Sequence, residues 1–564
     1  MSLARTSHRD CKRRKRRRSR QTRRNAPARR GVVLIIVLVV IVILALSTYA
    51  FTRTMLSNYQ ATLLNGRNSA ARQLVASGAD SVRLFLLNDE ATRTDMGGIF
   101  NNPAMFQAVP VVVSDVGYDR GNFSVLAPAV DENGDLTGLR YGLEDASNRL
   151  NVNALLVAEE ALEGSGRDLL MGLPGMTEEV ADAILDWIDE DDEPREFGVE
   201  YDYYATLDPP YAPRNGPLQS VEELLKVAGV TPMMLFGMDT NRNGMVDPHE
   251  LNDPLLNGTA SAGGTAGGTT DTTATTLGAT ADATTADTMG LDRGWAGYLT
   301  IHSKENNVNK LGDPRVFVNN PDLEELSDEL SEVFDQEWVT FILAYRLYGP
   351  SDSNNDGEAA EGRTLDLSQE PKNEITTILD LLDTKVEVTF SGERDKTVLK
   401  SPFPADIGAM ALYLPILLDG VTATDQPAIP GRININECSL TLLLGIPGMT
   451  EEIAQQILQE RPLLEEAETA DERFDSEAWI LMGGIVTLEE MRTLMPFVNA
   501  GGDVFQAQVV GYFEDGGASS RAEVVIDATS DVPSIVFWRD ISHLGRGYTI
   551  DVLGAQMVDT LPQN

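Results

Sequence analysis

The sequence is poor in the residues that most enzymes use for chemistry. It has two cysteines and four histidines, and it contains no G-x-S-x-G, H-E-x-x-H, P-loop or C-x-x-C string. His8 lies in a basic tail and His249 in an acidic loop, and His302 and His543 are isolated. We therefore expect a protein that is not an enzyme.

Basic residues are scarce after residue 30. The first 30 residues carry 14 Lys and Arg against one Asp, whereas the whole chain has a net charge of −41, which leaves −54 for residues 31–564. Such an acidic body repels nucleic acid and anionic lipid surfaces. We therefore expect no nucleic-acid partner.

Long hydrophobic runs are limited to one. Residues 31–51, GVVLIIVLVVIVILALSTYAF, carry no charge and are long enough to cross a bilayer as one helix. The basic cluster before them keeps the N-terminus in the cytoplasm. This predicts a single-pass protein, with Cys11 and Cys438 on opposite sides of the membrane and unable to form a disulfide. Cys438 lies in an apolar, predicted helical run, and we expect it in the core.

The helical pattern continues past the membrane. Apolar residues recur at i, i+3 and i+4 spacing between Ala71 and Phe85 and extend the helix to about residue 88. Weak cleavage candidates at residues 45–50 leave open a secretory signal peptide. The alternative is cleavage between Gly31 and Val32, because residues 29–36 followed by this helix resemble a type IV prepilin signal. Ile36 stands where most such signals have Glu, a departure typical of the K pseudopilin of type II secretion.

Internal segments extend this resemblance. Residues 141–156, 184–204, 217–227 and 504–544 are similar to the K pseudopilin family, whereas residues 240–430 are longer and more divergent. The resemblance implies a structural subunit at the tip of a type II secretion pseudopilus, which supports protein export across the outer membrane. It also implies an inner-membrane, mainly periplasmic protein that a prepilin peptidase trims after Gly31, often with methylation. The implied partners are minor pseudopilins of the I and J types. A signal-anchored calcium-binding surface or adhesion protein without a filament is the alternative.

Short β-like segments lie at both ends of the body and predict one antiparallel sheet. They are residues 106–114, 121–128, 139–143, 504–513, 522–527 and 534–539, with turns at 131–135 and 514–517. The predicted fold class is α+β: a pilin-like long N-terminal helix packed on a small antiparallel sheet, with a large, mainly helical insertion. Within the insertion, residues 322–348 and 373–383 are expected to be helical.

An internal repeat lies within the insertion. Residues 172–185 recur as residues 445–458, with 10 of 14 positions identical, and each copy follows an Asn-rich signature, Arg149–Asn153 or Arg432–Asn436. A partial third signature lies at residues 315–319. Each copy reads Pro-Gly-Met-Thr-Glu-Glu, which predicts two helix-hairpin-helix (SAM-like) units. Their glutamates would repel phosphate, so we expect structural packing rather than DNA binding.

These features divide the chain into nine predicted segments. They are a basic cytoplasmic leader (1–31), the transmembrane and amphipathic helix (32–90), the first part of the sheet (91–145), an inserted helical domain (146–256), a low-complexity linker (257–290), a divergent inserted region (291–430), the second helix-hairpin-helix unit (431–500), the C-terminal part of the sheet (501–545) and a tail (546–564).

The sharpest candidate site is the string at residues 239–250, the calcium loop. It matches the twelve-residue pattern D-x-[DN]-x-[DN]-G-x5-E, with a glycine for the sharp turn at Gly244. The predicted ligands are Asp239, Asn241, Asn243, the Met245 carbonyl, Asp247 and Glu250. The alternative is a solvated acidic turn that binds nothing.

Two weaker candidates follow. Residues 352–357 begin the same pattern, but its last position holds Arg363. Asp189, Asp191 and Asp192 crowd a predicted helix end near Glu200, and the family resemblance implies calcium in this inserted domain. The alternative for this group is an exposed acidic face.

Overall fold

The computed structural model describes residues 30–131, 133–248, 250, 293–353, 355–360, 363–462 and 472–554. The predicted leader up to residue 29, the predicted linker 257–290 and the last ten residues of the predicted tail lie outside the described residues. The chain divides into two compact units, Met1–Gly66 and Arg67–Asn564.

The N-terminal helix, α1, spans Arg30–Leu86 and ends two residues before the predicted position. Gly31 and Val32 lie in its first turn. Within the described part of the chain, one helix is long and apolar enough to cross a membrane, and its most apolar stretch is not buried. By length and composition, this helix fits the predicted single-pass anchor.

An antiparallel sheet of seven strands joins the two ends of the sequence, as predicted. The strands, numbered along the chain, are β1 (Val109–Val112), β2 (Gly121–Val130), β3 (Leu136–Arg140), β4 (Glu144–Asp145), β15 (Val504–Phe513), β16 (Ser519–Asp527) and β17 (Ser534–Asp540). Their order in the sheet is β1-β2-β15-β16-β17, with β3 paired to β2 and β4 paired to β15. The predicted turns connect β2 to β3 and β15 to β16.

The second part of α1 packs on this sheet. Val75, Ala79 and Val82 are buried against Phe123 and neighbouring strand residues in one hydrophobic cluster. Burial of this apolar stripe stabilises the pair, at roughly 1.5–3 kcal/mol for each large side chain. Gly78 faces the sheet so closely that an added Cβ would lie 2.6 Å from a Val509 methyl group. The helix therefore needs a glycine at its closest approach.

The inserted region consists mainly of short helices, together with a hairpin of β9 (Lys385–Val388) and β10 (Thr397–Lys400) and a second antiparallel pair, β7 (Lys304–Asn306) with β12 (Ala428–Pro430). The helices from α2 onward are α2 (Glu90–Asp95), α3 (Pro103–Phe106), α4 (Leu155–Ala161), α5 (Ser165–Met171), α6 (Glu178–Ile188), α7 (Tyr201–Tyr204), α8 (Pro232–Phe236), α9 (Leu323–Val333), α10 (Gln336–Tyr348), α11 (Ile407–Gly420), α12 (Leu440–Gly445), α13 (Glu451–Glu460), α14 (Trp479–Met482) and α15 (Leu488–Leu494).

Three predictions about local structure are corrected here. Residues 322–348 form two helices, because Asp335 accepts a hydrogen bond from the Trp338 amide and caps a new helix. Residues 373–383 contain only a 3-10 turn at Ile378–Leu381, since Thr377 and Asp380 close a capping box just before β9. Cys438 is fully buried, as predicted, but it precedes α12 instead of lying in a helix.

Three parallel strand pairs of two residues each divide the inserted region. They are β5 (Leu150–Asn151) with β6 (Leu299–Thr300), β8 (Val316–Phe317) with β11 (Val421–Thr422), and β13 (Ile433–Asn434) with β14 (Val498–Asn499). Each first strand belongs to one of the three Asn-rich signatures. In the first two units the final Asn of the signature bonds both the amide and the carbonyl of one residue: Asn153 bonds Leu218, and Asn319 bonds Ile375. The three strand pairs thus bound three units of the inserted region: β5 to β6, β8 to β11 and β13 to β14. The second unit lies in the divergent region, and an Asn closes it in the same way as the first.

Each repeated sequence forms a turn and the helix that follows it, and thereby connects two helices, α5 to α6 and α12 to α13. Thr177 and Thr450 accept hydrogen bonds from the third amide of the helix that follows each of them. The two pairs contact each other where α5 and α12 end, and a Cβ on Gly172 would lie 2.5 Å from the Gly445 Cα. Their identification as helix-hairpin-helix units remains a prediction.

Candidate functional site

Three carboxylates meet where α6 ends. Asp186 lies in the last turn of α6, Asp189 caps its C-terminus, and Glu200 precedes α7. One oxygen from each lies within 4.8 Å of the others. All three residues are buried, with 0, 8 and 6% of their surface exposed. We call these three residues the acidic cluster.

Aromatic packing brings the chain between α6 and α7 back to the C-terminal end of α6. Trp187 and Tyr204 meet edge to face with ring centroids 5.1 Å apart, which fixes α7 beside α6. Between the two helices the chain crosses Asp186 at Gly198, where a Cβ would lie 1.8 Å from the carboxylate. A glycine is therefore required at residue 198 to bring Glu200 to the cluster.

The charge of the acidic cluster is incompletely balanced. Arg195 donates to Asp186 at 2.9 Å and to Asp189. Both Glu200 carboxyl oxygens and Asp189 Oδ1 are buried without a hydrogen-bond partner. Burial, followed by the charges of Asp186 and Asp189, raises the pKa of Glu200 to about 7. Carboxylate oxygens that converge in this way are the ligands that calcium prefers.

The structure separates the predicted ligands of this region. Asp189 and Glu200 belong to the acidic cluster, whereas Asp191 and Asp192 are exposed and point elsewhere. Asp191 accepts a bond from the Glu193 amide at 2.8 Å, and Asp192 accepts one from the Asn215 side chain at 3.0 Å. Asp186 is not among the ligands predicted from the sequence. Its position three residues before Asp189 on one helix face was the available signal.

The calcium loop is folded around its own acidic side chains. Gly244 has a φ of +78°, which allows the sharp turn. The Asp239 carboxylate accepts bonds from the Asn243 and Gly244 amides at 3.0 and 2.8 Å. Glu250 accepts from the Asn241 and Asp247 amides at 3.0 and 2.9 Å. The first and last predicted ligands therefore close the loop.

The middle ligands of the calcium loop converge on Asp247. The side-chain amides of Asn241 and Asn243 both donate to Asp247 Oδ2, at 2.8 and 3.0 Å. Asn241 Oδ1 is buried without a partner. Burial is the main cause that raises the pKa of Asp239 to about 6. An unpartnered oxygen and a desolvated carboxylate both favour a cation.

Residues of the sheet and of the segment after it hold the calcium loop from outside. Tyr548 donates to the Asn243 carbonyl at 3.0 Å, and Gln508 donates to the Arg242 carbonyl at 2.6 Å. The fully buried Arg521 donates to the Asn241 carbonyl. These bonds fix the backbone of the loop on the sheet, and the Asn243 side chain also donates to the Gly547 carbonyl at 2.8 Å.

The remaining candidates have little support. In the 352–357 string, Asn354 lies outside the described residues, and Arg363 pairs with Glu358 at 2.9 Å. His249, inside the calcium loop, is likewise not described. The Met245 amide is bonded to the Asn243 side chain at 2.8 Å, and the Met245 carbonyl stays a predicted ligand.

Comparison with known proteins matches one part of the chain to a family model. Residues 148–237 match the family model of the type II secretion system (T2SS) protein K. A chain of the crystal structure of the GspK–GspI–GspJ complex, from the enterotoxigenic Escherichia coli type 2 secretion system, is similar at 12% identity and a TM-score of 0.30, covering 87% of this chain and 98% of that chain. Among curated proteins, no sequence matches the chain.

The matched region contains the helix pair α5–α6, all three residues of the acidic cluster and the aromatic residues that hold them together. The match includes residues 184–204 and 217–227, two of the segments that resemble the K pseudopilins in sequence. Residues 148–237 are therefore similar to the family of type II secretion system protein K, and the predicted resemblance to that family is confirmed.

Proposed function

We propose that this chain is a minor pseudopilin of the K type, a structural subunit at the tip of a type II secretion pseudopilus that supports protein export across the outer membrane. The family match over residues 148–237 carries the proposal. The long apolar helix α1 and the antiparallel sheet on which its second part packs support it. The sheet also combines strands from both chain ends, so the insertion lies within a pilin-like frame.

The proposed location is the inner membrane, with the N-terminus in the cytoplasm and the bulk in the periplasm. Fourteen basic residues before the membrane helix favour this orientation. A prepilin peptidase would cut between Gly31 and Val32 and leave a mature protein that begins with its apolar helix. The proposed partners are the I and J pseudopilins, because the similar solved chain comes from a complex with proteins of those names.

The tip position follows from the charge at the start of the mature chain. Ile36 occupies mature position 5 and carries no carboxylate. This subunit therefore cannot neutralise the free N-terminal amine of a neighbouring subunit inside an apolar helical bundle. An unpaired charge in such surroundings is costly, which disfavours an internal place in the filament.

N-terminal sequencing of the protein purified from membranes tests the proposal. We expect a mature start at Val32, often methylated, and a Gly31→Asp variant that keeps its leader. Arg29→Lys is the matched control, because it alters the leader while leaving the residue before the cut intact. A start between Ser47 and Phe51, or an uncut Met1 in the wild type, would contradict the pseudopilin assignment.

We also propose that the chain binds calcium, at the acidic cluster and at the calcium loop. Unpartnered buried oxygens occur in both places: those of Glu200 and Asp189 in the cluster, and that of Asn241 in the loop. Calcium would replace the missing partners with direct ligation. It would also offset the burial of carboxylates that have too few cations beside them.

Calcium titration of the detergent-solubilised full chain tests this second proposal. Binding to the folded state alone should stabilise it by roughly 1–3 kcal/mol at 10 to 100 times the dissociation constant, and magnesium should stabilise it less. Glu200→Gln should remove the part of the calcium stabilisation that is due to the acidic cluster. Asp239→Ala with Glu250→Gln should remove the part that is due to the calcium loop. Asp191→Asn with Asp192→Asn is the control for loss of nearby charge. A full calcium response in both site variants would show that neither site binds.

The helix pairs α5–α6 and α12–α13 are proposed to be helix-hairpin-helix units used for packing. Each second helix begins with two glutamates, which would face a phosphate with negative charge. The contact between Gly172 and Gly445 gives these units a structural role inside the chain. We therefore propose no nucleic-acid partner.

A further inference from the structure

The helix α11 has one face that is apolar and exposed. Its Ile407, Leu412 and Ile416 side chains are 52, 77 and 56% exposed. Gly408, Ala411 and Pro415 lie on the same face, and all six residues are uncharged. The opposite side of the helix, including Met410 and Leu414, is buried in the core. We call the six residues the apolar helix face, and nothing within the described ranges covers it.

The apolar helix face is continued by a neighbouring loop. Leu311 is 86% exposed, and the amide of the preceding Lys310 donates to Asp419 at the end of α11 at 2.8 Å. The loop is therefore held beside the last turn of the helix. Exposed apolar patches of this kind mark interaction sites in soluble protein regions.

A corresponding helix within the same chain shows that the fold does not require this exposure. Helix α11 precedes β11, the last strand of the second unit, and α15 precedes β14, the last strand of the third. Each helix buries a methionine four residues after its N-cap, Met410 in α11 and Met491 in α15. In α15 the outward positions hold Glu489 and Arg492, and Arg492 bonds the carbonyls of Leu379 and Leu382. The corresponding positions in α11 are Gly408 and Ala411. The two helices thus bury corresponding sides, whereas the outward side is charged in α15 and uncharged in α11.

Two possible occupants fit the apolar helix face poorly. Residues 401–430 contain three aspartates and no Lys or Arg, whereas helices that lie on lipid surfaces carry basic residues on their polar side. A second copy of this chain would bring another acidic body.

We infer that the apolar helix face docks an amphipathic helix of another protein, whose apolar stripe is flanked by Lys or Arg. Ile407, Leu412 and Ile416 recur at helical spacing, so they can insert between the side chains of a facing helix. Asp406 caps α11 by accepting from the Ala409 amide, and Asp419 accepts from the Lys310 amide. Both carboxylates lie at the ends of the face, and their negative charges would meet the basic flanks. The inference goes beyond the proposed function, because it requires neither a filament nor calcium.

Peptide binding to the full chain in phosphatidylcholine nanodiscs tests the inference. The probe is a fluorescent 14-residue Leu/Lys peptide with helical periodicity, and the reference is a peptide of the same composition with strictly alternating residues. We expect the helical peptide to bind at least ~10-fold more tightly, since only its leucines form one helical stripe that the apolar helix face can bury. Leu412→Ser with Ile416→Ser should reduce its affinity to that of the alternating peptide.

A matched control distinguishes binding at the apolar helix face from nonspecific binding of the peptide to exposed apolar residues. Val157→Ser with Leu162→Ser removes two exposed apolar side chains elsewhere and should change the affinity less than about twofold. Each variant is compared only if its melting temperature matches that of the wild type; otherwise the milder Leu412→Ala takes the place of the double substitution. Equal affinity of wild type and α11 variant would overturn the inference.

Two other results would also overturn it. One is self-association of the wild-type chain in analytical ultracentrifugation that the α11 variant loses, because the face would then bind a second copy. The other is peptide binding to empty nanodiscs that accounts for the whole signal. Tighter binding of the helical peptide, lost in the α11 variant and kept in the control, supports the inference.

Discussion

Gly172→Ala is expected to destabilise the inserted region through one backbone contact. Gly172 has φ −65° and ψ −19°, so alanine fits its backbone conformation. The new Cβ, however, would lie 2.5 Å from the Gly445 Cα and 3.0 Å from the Gly445 nitrogen. Carbon atoms pack best at about 3.5–4.0 Å, so α5 and α12 must move apart by roughly 1 Å.

The expected size of the effect follows from two opposing terms. Overpacking of this kind costs about 1–3 kcal/mol. Replacing glycine by alanine returns about 0.4–1 kcal/mol by restricting the unfolded chain. The compact unit Arg67–Asn564 is several hundred residues long, so its unfolding entropy is about 1 kcal/mol/K. The net loss of about 0–2.6 kcal/mol should therefore lower the melting temperature by up to roughly 3 °C. Gly445→Ala should cost less, because its Cβ would lie 3.1 Å from the Gly172 Cα.

Differential scanning calorimetry of the full chain in detergent measures these shifts. Gly216→Ala is the control, because a Cβ there would have no atom within 4 Å and its φ is not positive. The control should match the wild type or melt slightly higher. If Gly172→Ala is as stable as Gly216→Ala, the two helix pairs do not meet at these glycines.

Two further predictions concern single side chains. Ile36→Glu should leave folding intact but permit misplacement within the filament, which changes filament length or secretion of a reporter protein; no effect on either would remove the electrostatic support for the tip position. In a Cys11→Ser chain at pH 8, Cys438 should react with a thiol reagent at least ~100-fold more slowly than in denaturant, because it is fully buried and burial raises the pKa of its thiol to about 12. Rapid modification of Cys438 in the native chain would mean that it is exposed.

The sheet could be predicted well from the sequence, because long strands leave a periodic pattern. Residues 504–513 were predicted as a strand and form β15 with the same bounds. The apolar spacing from Ala71 to Phe85 likewise predicted the part of α1 that packs on the sheet. For the second unit of the inserted region, the sequence contains only the partial signature at residues 315–319. Strands of two residues are too short to show an alternation of apolar and polar side chains.

The candidate sites show the same limit. The calcium loop could be proposed from the sequence because all its predicted ligands lie within twelve consecutive residues. The acidic cluster depends on a return of the chain over Gly198, and on ring packing between Trp187 and Tyr204. No sequence pattern marks the return of the chain or the ring packing, so the sequence does not predict which carboxylates meet. Asp186 was therefore omitted, while the adjacent but exposed Asp191 and Asp192 were included.

The pairing of β7 with β12 has a consequence for how such a chain can change its length. Asn307 already bonds the carbonyls of Thr424 and Gln426 through its side chain, and its amide bonds the Pro427 carbonyl. The second unit thus enters and leaves the body at one point. A whole unit gained or lost there in evolution would require only a short new connection, with little cost in loop closure. Relatives with and without the residues between 308 and 426 could therefore share one sheet and one membrane helix.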